Sequence, residues 1–166
     1  MKKRRSFEAG HLRKFLLIVD NSEEVEAALY YAASRIAHSS GMITMLFVIE
    51  PQEFQHWMGV GQVHIEEQTN KAKALFRMFR RKLSLAGFEE IAVDEVIREG
   101  NMAEQILALI DEDEDIAILV LGAAANAQGP GPLVASLASG SAAGTFPIPI
   151  TVVPGTLKLE EIQALA

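Results

Sequence analysis

The sequence predicts an α/β fold, a single doubly wound parallel sheet with helices on both faces, on three observations. Five short runs have the length and residue types of strands: Phe15–Val19, Met42–Ile49, Ile91–Ile97, Ile116–Leu121 and Ile148–Val153. The segments between them carry apolar residues at helical spacing. No linker or internal repeat divides the 166 residues, so the alternation β-α-β-α-β-α-β-α-β belongs to one domain.

Phe15–Val19 is apolar throughout, as a strand covered on both faces must be. Asp20-Asn21-Ser22 follows with N-cap oxygens, and Asn21 with Glu24 has capping-box spacing. Val25, Ala28, Leu29, Ala32, Ala33 and Ile36 mark the buried side of the first helix, which Ser39-Ser40-Gly41 ends. Met42–Ile49 is the second buried strand. Glu50–Gly61 is a loop rich in aromatic residues, and its Phe54–Met58 part suits a lid over a pocket, a partner-binding patch or packing on the exposed edge of the sheet. Gln62 to Leu85 is a long helix with Ala72, Leu75, Phe76, Phe79 and Leu83 on its buried face. Its Lys and Arg residues read as a solvated face paired with Glu66, Glu67 and neighbours.

Ile91–Ile97 alternates apolar with acidic residues and suits an edge strand. Asn101 and Glu104 again have capping-box spacing, opening a helix that buries Ile106, Leu107 and Ile110. Five acids, Asp111–Asp115, close that helix against its macrodipole and read as a solvated turn. Ile116–Leu121 is the fourth strand, Pro132–Ala143 a short helix, and Ile148–Val153 the fifth strand. Residues 156–166 form a tail or short helix after a domain spanning 14–155.

Charge is distributed unevenly. Met1–Lys14 holds six basic residues and one acid, a net of +5, which leaves −12 on the remainder of a chain of net charge −7. An acidic body argues against a broad nucleic-acid surface, and residues 1–13 read as a flexible basic arm, suited either to touch RNA, lipid or a partner or to fray as a solubilising terminus. No apolar run is long enough to span a membrane, and the charged N-terminus lacks the apolar segment of a secretory leader. With no cysteine, disulfides, thiol catalysis and thiolate metal sites are excluded, and a cytoplasmic protein is expected.

Functional groups of such a sheet gather at the C-terminal ends of its strands. The candidates there are Asp20, Asn21 and Ser22 after the first strand, Val48–Glu50 at the end of the second, Glu99, Gly100 and Asn101 at the end of the third and the small-residue loop 122–141 after the fourth. Backbone N–H groups in such a loop can approach phosphate closely, and Gly122, Gly129, Gly131, Ser136, Ser139, Gly140 and Ser141 are its candidate contacts. Pro130 and Pro132 remove two donors from it, and no Lys or Arg lies between Glu99 and Lys158. A P-loop and a GxGxxG turn are both missing, and Asp20 alone meets the pattern of a phosphorylated receiver domain. Asp20 suits either a helix cap or a ligand contact. His56 and His64 fit no metal spacing, and no nucleophile–base pair is apparent, so neither a metal site nor an enzyme is expected.

Four phrases carry a family resemblance. Phe15–Glu24 (FLLIVDNSEE), Ile97–Ile106 (IREGNMAEQI), Ile118–Gly122 (ILVLG) and Pro147–Pro154 (PIPITVVP) resemble, in order and spacing, the four corresponding phrases of the universal stress protein family. The resemblance covers about Lys14 to Gly155. It implies a five-stranded, Rossmann-like sheet of order 3-2-1-4-5 and a homodimer paired through the last strand at Ile150, Val152 and Val153. In the family's nucleotide-binding branch the Asp after strand 1, here Asp20, reads the adenine and ribose end, and a G-x2-G-x9-G-[S/T] loop holds the phosphates. Gly140-Ser141 matches the end of that motif, while Ala127 and Pro130 stand where its first two glycines belong. Two functions follow as expectations. One is a regulatory module binding an adenine nucleotide such as ATP, with Mg²⁺ only alongside it, or another small ligand, at the ends of strands 1 and 4. The other is a nucleotide-free homodimeric stress-response scaffold whose Gly-Pro-Gly-Pro loop fills its own pocket and which binds an unidentified protein partner.

Overall fold

A computed structural model describes residues 2–51 and 60–166. The elements follow the expected alternation: β1 (Lys14–Ile18), α1 (Val25–Ala37), β2 (Met42–Ile49), α2 (Val60–Leu85), β3 (Val93–Glu99), α3 (Met102–Glu112), β4 (Ile116–Ala123), α4 (Pro132–Leu137), α5 (Gly140–Thr145), β5 (Ile150–Pro154) and α6 (Leu159–Leu165). The five strands form one parallel sheet in the order β3-β2-β1-β4-β5. β1 is central, so side chains on both of its faces are buried. Phe15, Leu17 and Val19 enter the core beneath α1, α2 and α6, while Leu16 and Ile18 enter the one beneath α3 and α4. That two-sided burial is why the run is apolar without alternation.

The edges read differently. β3 is an edge strand, and its Asp94, Glu95 and Arg98 engage Lys14, Arg80 and Glu112 in ion pairs. Charged side chains of this kind protect an exposed ladder from pairing with another chain. β5 is the other edge. Val152 is 40% exposed there, whereas Val153 is buried beside α1 and α6 and Ile150 packs partly against the α3 side. The Val153 side chain therefore belongs to the chain's own core.

Four local expectations are corrected. Leu107 is 38% exposed, and Leu109 takes its place on the buried face of α3. α1 begins on Glu24 without a side-chain cap, so the Asn21–Glu24 capping box does not form. The helix expected over 132–143 is two helices, because Ser139 is extended and Gly140 takes φ +58° between α4 and α5. The basic arm folds back instead of fraying. Arg4 donates to the carbonyls of Ile110, Asp113 and Ile116, Arg5 pairs with Glu114, and His11 with Asp115. The acidic run after α3 is therefore the arm's docking surface as well as a turn. By contrast, the Asn101 side chain accepts from Glu104 N at 3.1 Å, as the spacing of α3 predicts. No helix among the described residues is long and apolar enough to cross a membrane.

Candidate functional site

Asp20 is the first residue beyond the buried end of β1 and is half-buried. Its Oδ1 accepts from Ser22 N at 2.8 Å and from the Ser22 hydroxyl. This is an Asx turn, which arrests the chain for a few residues before α1 starts. Of the two roles open to Asp20, helix capping is thus excluded. The carboxylate is held in place by its own turn and borders two cavities.

The smaller cavity, about 40 Å³, lies between β1, the start of α1, the end of β4 and residues 130–134. Asp20, Ser22, Gly122 and Gly131 meet there. Glu24 closes it: a Cβ on Gly122 would lie 2.1 Å from the Glu24 carbonyl oxygen, and one on Gly155 would lie 2.6 Å from Glu24 Cβ. Gly122 thus has a packing reason to lack a side chain. The volume suits a water or two and excludes a triphosphate.

The loop after β4 also bonds largely to itself. Ala124 N donates to Pro130 O at 3.0 Å, Gln128 N to Asn126 Oδ1 at 2.9 Å, and Gly129 N to Asn126 O at 3.2 Å. Gly129 and Gly131 take φ of 109° and 100°, the left-handed turns that this tight path needs. Three N–H groups that a phosphate nest would use already have partners. Gly140 and Ser141 lie exposed at the start of α5 and line neither cavity; Asn21 is also exposed.

The larger cavity, about 750 Å³, opens at the C-terminal ends of β1 and β2 between α2, α3 and α4. Asp20, Val48, Glu50 and Asn101 line it, joined by residues that the strand-end reasoning missed: His64, Gln68 and Lys71 from α2. His64, Gln68 and Lys71 are spaced i, i+4, i+7, so helical periodicity was the signal that could have found them. Lys71 supplies the cation absent from the loop. His64 is buried, and its Nε2 lies 3.0 Å from the Glu50 carbonyl oxygen. Gly100 lies apart, at a neighbouring cleft of about 220 Å³ with Ile49 and Ile65. The aromatic residues Phe54–Met58, with His56 and most of the expected lid, fall outside the described residues. Among the described residues no cluster of three or more metal-ligating side chains occurs.

A family model described as "Universal stress protein family" matches residues 11–154, nearly the whole chain. The chain belongs to the universal stress protein family. Solved structures of this family share its fold at low sequence identity. Universal stress protein UspA from Lactobacillus plantarum is 20% identical with a TM-score of 0.59, over 86% of this chain and 97% of that one. A universal stress protein in complex with cAMP is 17% identical with a TM-score of 0.61, over 87% and 99%. One from Archaeoglobus fulgidus in complex with dAMP is 14% identical with a TM-score of 0.51, over 86% and 98%. A search of curated proteins finds no match. As a universal stress protein, the chain has the five-stranded parallel sheet of order 3-2-1-4-5 that the resemblance implied.

Proposed function

We propose that this universal stress protein is a cytoplasmic regulatory module that binds an adenine nucleotide of monophosphate size in the larger cavity and does not turn it over. The carrying observation is the 750 Å³ cleft at the ends of β1 and β2, with the anchored carboxylate of Asp20 on its wall. Its volume is in the range of small-ligand sites. A carboxylate is an acceptor for ribose hydroxyls or an exocyclic amine. Lys71 offers charge to one phosphate, and the self-bonded loop disfavours a longer chain of them. Two structural neighbours that hold cAMP and dAMP support the ligand class. Binding would order the surroundings of the cleft and change the surface offered to partners, with the protein acting as a homodimer paired through β5.

Isothermal titration with AMP, cAMP, ADP and ATP, with and without Mg²⁺, tests this reading. Heat is expected with the monophosphates and independent of Mg²⁺. No heat with any of them, on a protein shown to be folded, overturns it. The second reading, a nucleotide-free dimeric scaffold, then stands, and the closure of the smaller cavity by Glu24 and residues 130–134 favours it.

A further inference from the structure

From Gln68 to Phe88 the chain carries six basic residues and no acid, in a protein with 22 acidic residues. Two of the six have partners: Arg80 pairs with Glu95 on β3, and Lys82 with Glu26 on α1. Lys71, Lys73, Arg77 and Arg81 are exposed and form no ion pair with any described residue. The expected pairing with Glu66 and Glu67 is not made, and Glu66 accepts from Gln62 instead. Lys73, Arg77 and Arg81 follow one another at i, i+4 spacing, a line of cations about 6 Å apart. Beside this line run two exposed apolar side chains, Met78 at 40% and Leu85 at 77%. The face thus combines unpaired charge of one sign with adjoining exposed apolar surface.

We propose that the C-terminal half of α2 is a docking surface for an acidic amphipathic helix of a partner protein. Carboxylates four residues apart on such a helix repeat at the same 6 Å as the cations, and a neighbouring apolar stripe would cover Met78 and Leu85. Methionine suits this role because its flexible thioether adapts to the surface laid on it. An extended polyanion fits less well. A nucleic acid or an anionic membrane would meet the acidic body as well as the stripe, and the chain's net charge of −7 repels both. A single helix laid along α2 meets only the basic strip. α2 packs over β2 and β3, at the far end of the sheet from β5, so this surface stays open when β5 is paired.

The test uses the full chain and a fluorescein-labelled helical peptide with Glu at three successive i, i+4 positions beside a Leu stripe, read by anisotropy. Binding should weaken at least ~10-fold in Lys73→Glu/Arg77→Glu/Arg81→Glu, and similarly as NaCl rises from about 0.05 M to about 0.5 M. A peptide of the same composition with its Glu residues scattered around the helix should bind at least ~10-fold more weakly. Circular dichroism and melting temperature of the triple variant should match those of the parent, since the three side chains are exposed. Met78→Gln should weaken peptide binding without adding charge beside the basic line. The proposal is overturned if the parent does not bind the peptide or if the triple variant binds it equally. Tighter binding of phosphatidylserine vesicles or of a single-stranded oligonucleotide through the same residues also overturns it.

Discussion

The carbonyl oxygen of Glu24 rests on Gly122, leaving 2.1 Å to the place a Cβ would occupy. The start of α1 is thereby seated on the end of β4, and Gly122 cannot take a side chain unless helix or strand moves. Gly122→Ala should cost about 3 kcal/mol or more. Gly140→Ala meets no neighbour within 4 Å and carries only the strain of φ +58°, so about 1 kcal/mol is expected. Urea denaturation of both variants checks the contrast, and equal costs would contradict the packing role of Gly122.

Asp20 has a turn to hold and, in the proposed function, a ligand to meet. Asp20→Asn keeps an acceptor for Ser22 and should leave the melting temperature nearly unchanged, while AMP affinity falls at least ~10-fold. Calorimetric titration and a melt of the same sample separate the two effects. An Asn variant that binds AMP normally would remove Asp20 from the site.

Arg4 places its guanidinium among three carbonyls at the end of α3, including Ile110 O at 2.5 Å and Asp113 O at 2.9 Å. Positive charge there complements the helix macrodipole, which Asp111 and Glu112 oppose. Arg4→Ala should cost about 1.5–3 kcal/mol, read as a lower urea midpoint with unchanged slope. No change would return the arm to the frayed terminus its composition suggested.

Lys14 sits between Asp113 at 2.7 Å and Asp94 at 3.1 Å. Burial alone would lower its pKa, but hydrogen bonds to Asp113 and then Asp94 outweigh burial and raise it above the ordinary 10.5. The resulting stabilisation is fully present below the unfolded lysine's pKa and is lost as pH rises through the folded one. The stability difference between the parent and Lys14→Met should hold at neutral pH and shrink above about pH 10.5. Denaturation curves across that range decide it.

On β5, Val152 is exposed and Val153 is buried, so two adjacent lysines should behave differently. Val152→Lys should give a folded monomer if the strand pairs two copies, whereas Val153→Lys should unfold the domain by burying a charge. Light scattering and circular dichroism distinguish the outcomes, and an intact Val152→Lys dimer would locate the interface elsewhere.

Much of the site was legible in part. The carboxylate of Asp20 at a strand end was plain from five apolar residues followed by Asp-Asn-Ser, because a strand's end is a local event. Its companions were not. His64, Gln68 and Lys71 are some fifty residues away in sequence, and the basic pattern of α2 hid Lys71 among solvated cations. The loop after β4 showed its prolines in the sequence, but the partners of its N–H groups appear only once Pro130 O is seen to face Ala124 N.

By itself the sequence determined the alternation of five strands with helices, the all-apolar character of β1, the charged edge at β3 and the capping of α3 by Asn101. Each follows from periodicity, composition or a hydrogen bond within a few residues. Tertiary structure alone decided that Asp20 holds a turn instead of a helix, that Glu24 closes the space over Gly122 and that the basic arm docks on the acids after α3. It also split the cations of α2 into paired and unpaired sets. These depend on which distant groups come within a few ångströms of one another, and short-range pattern carries no information about that.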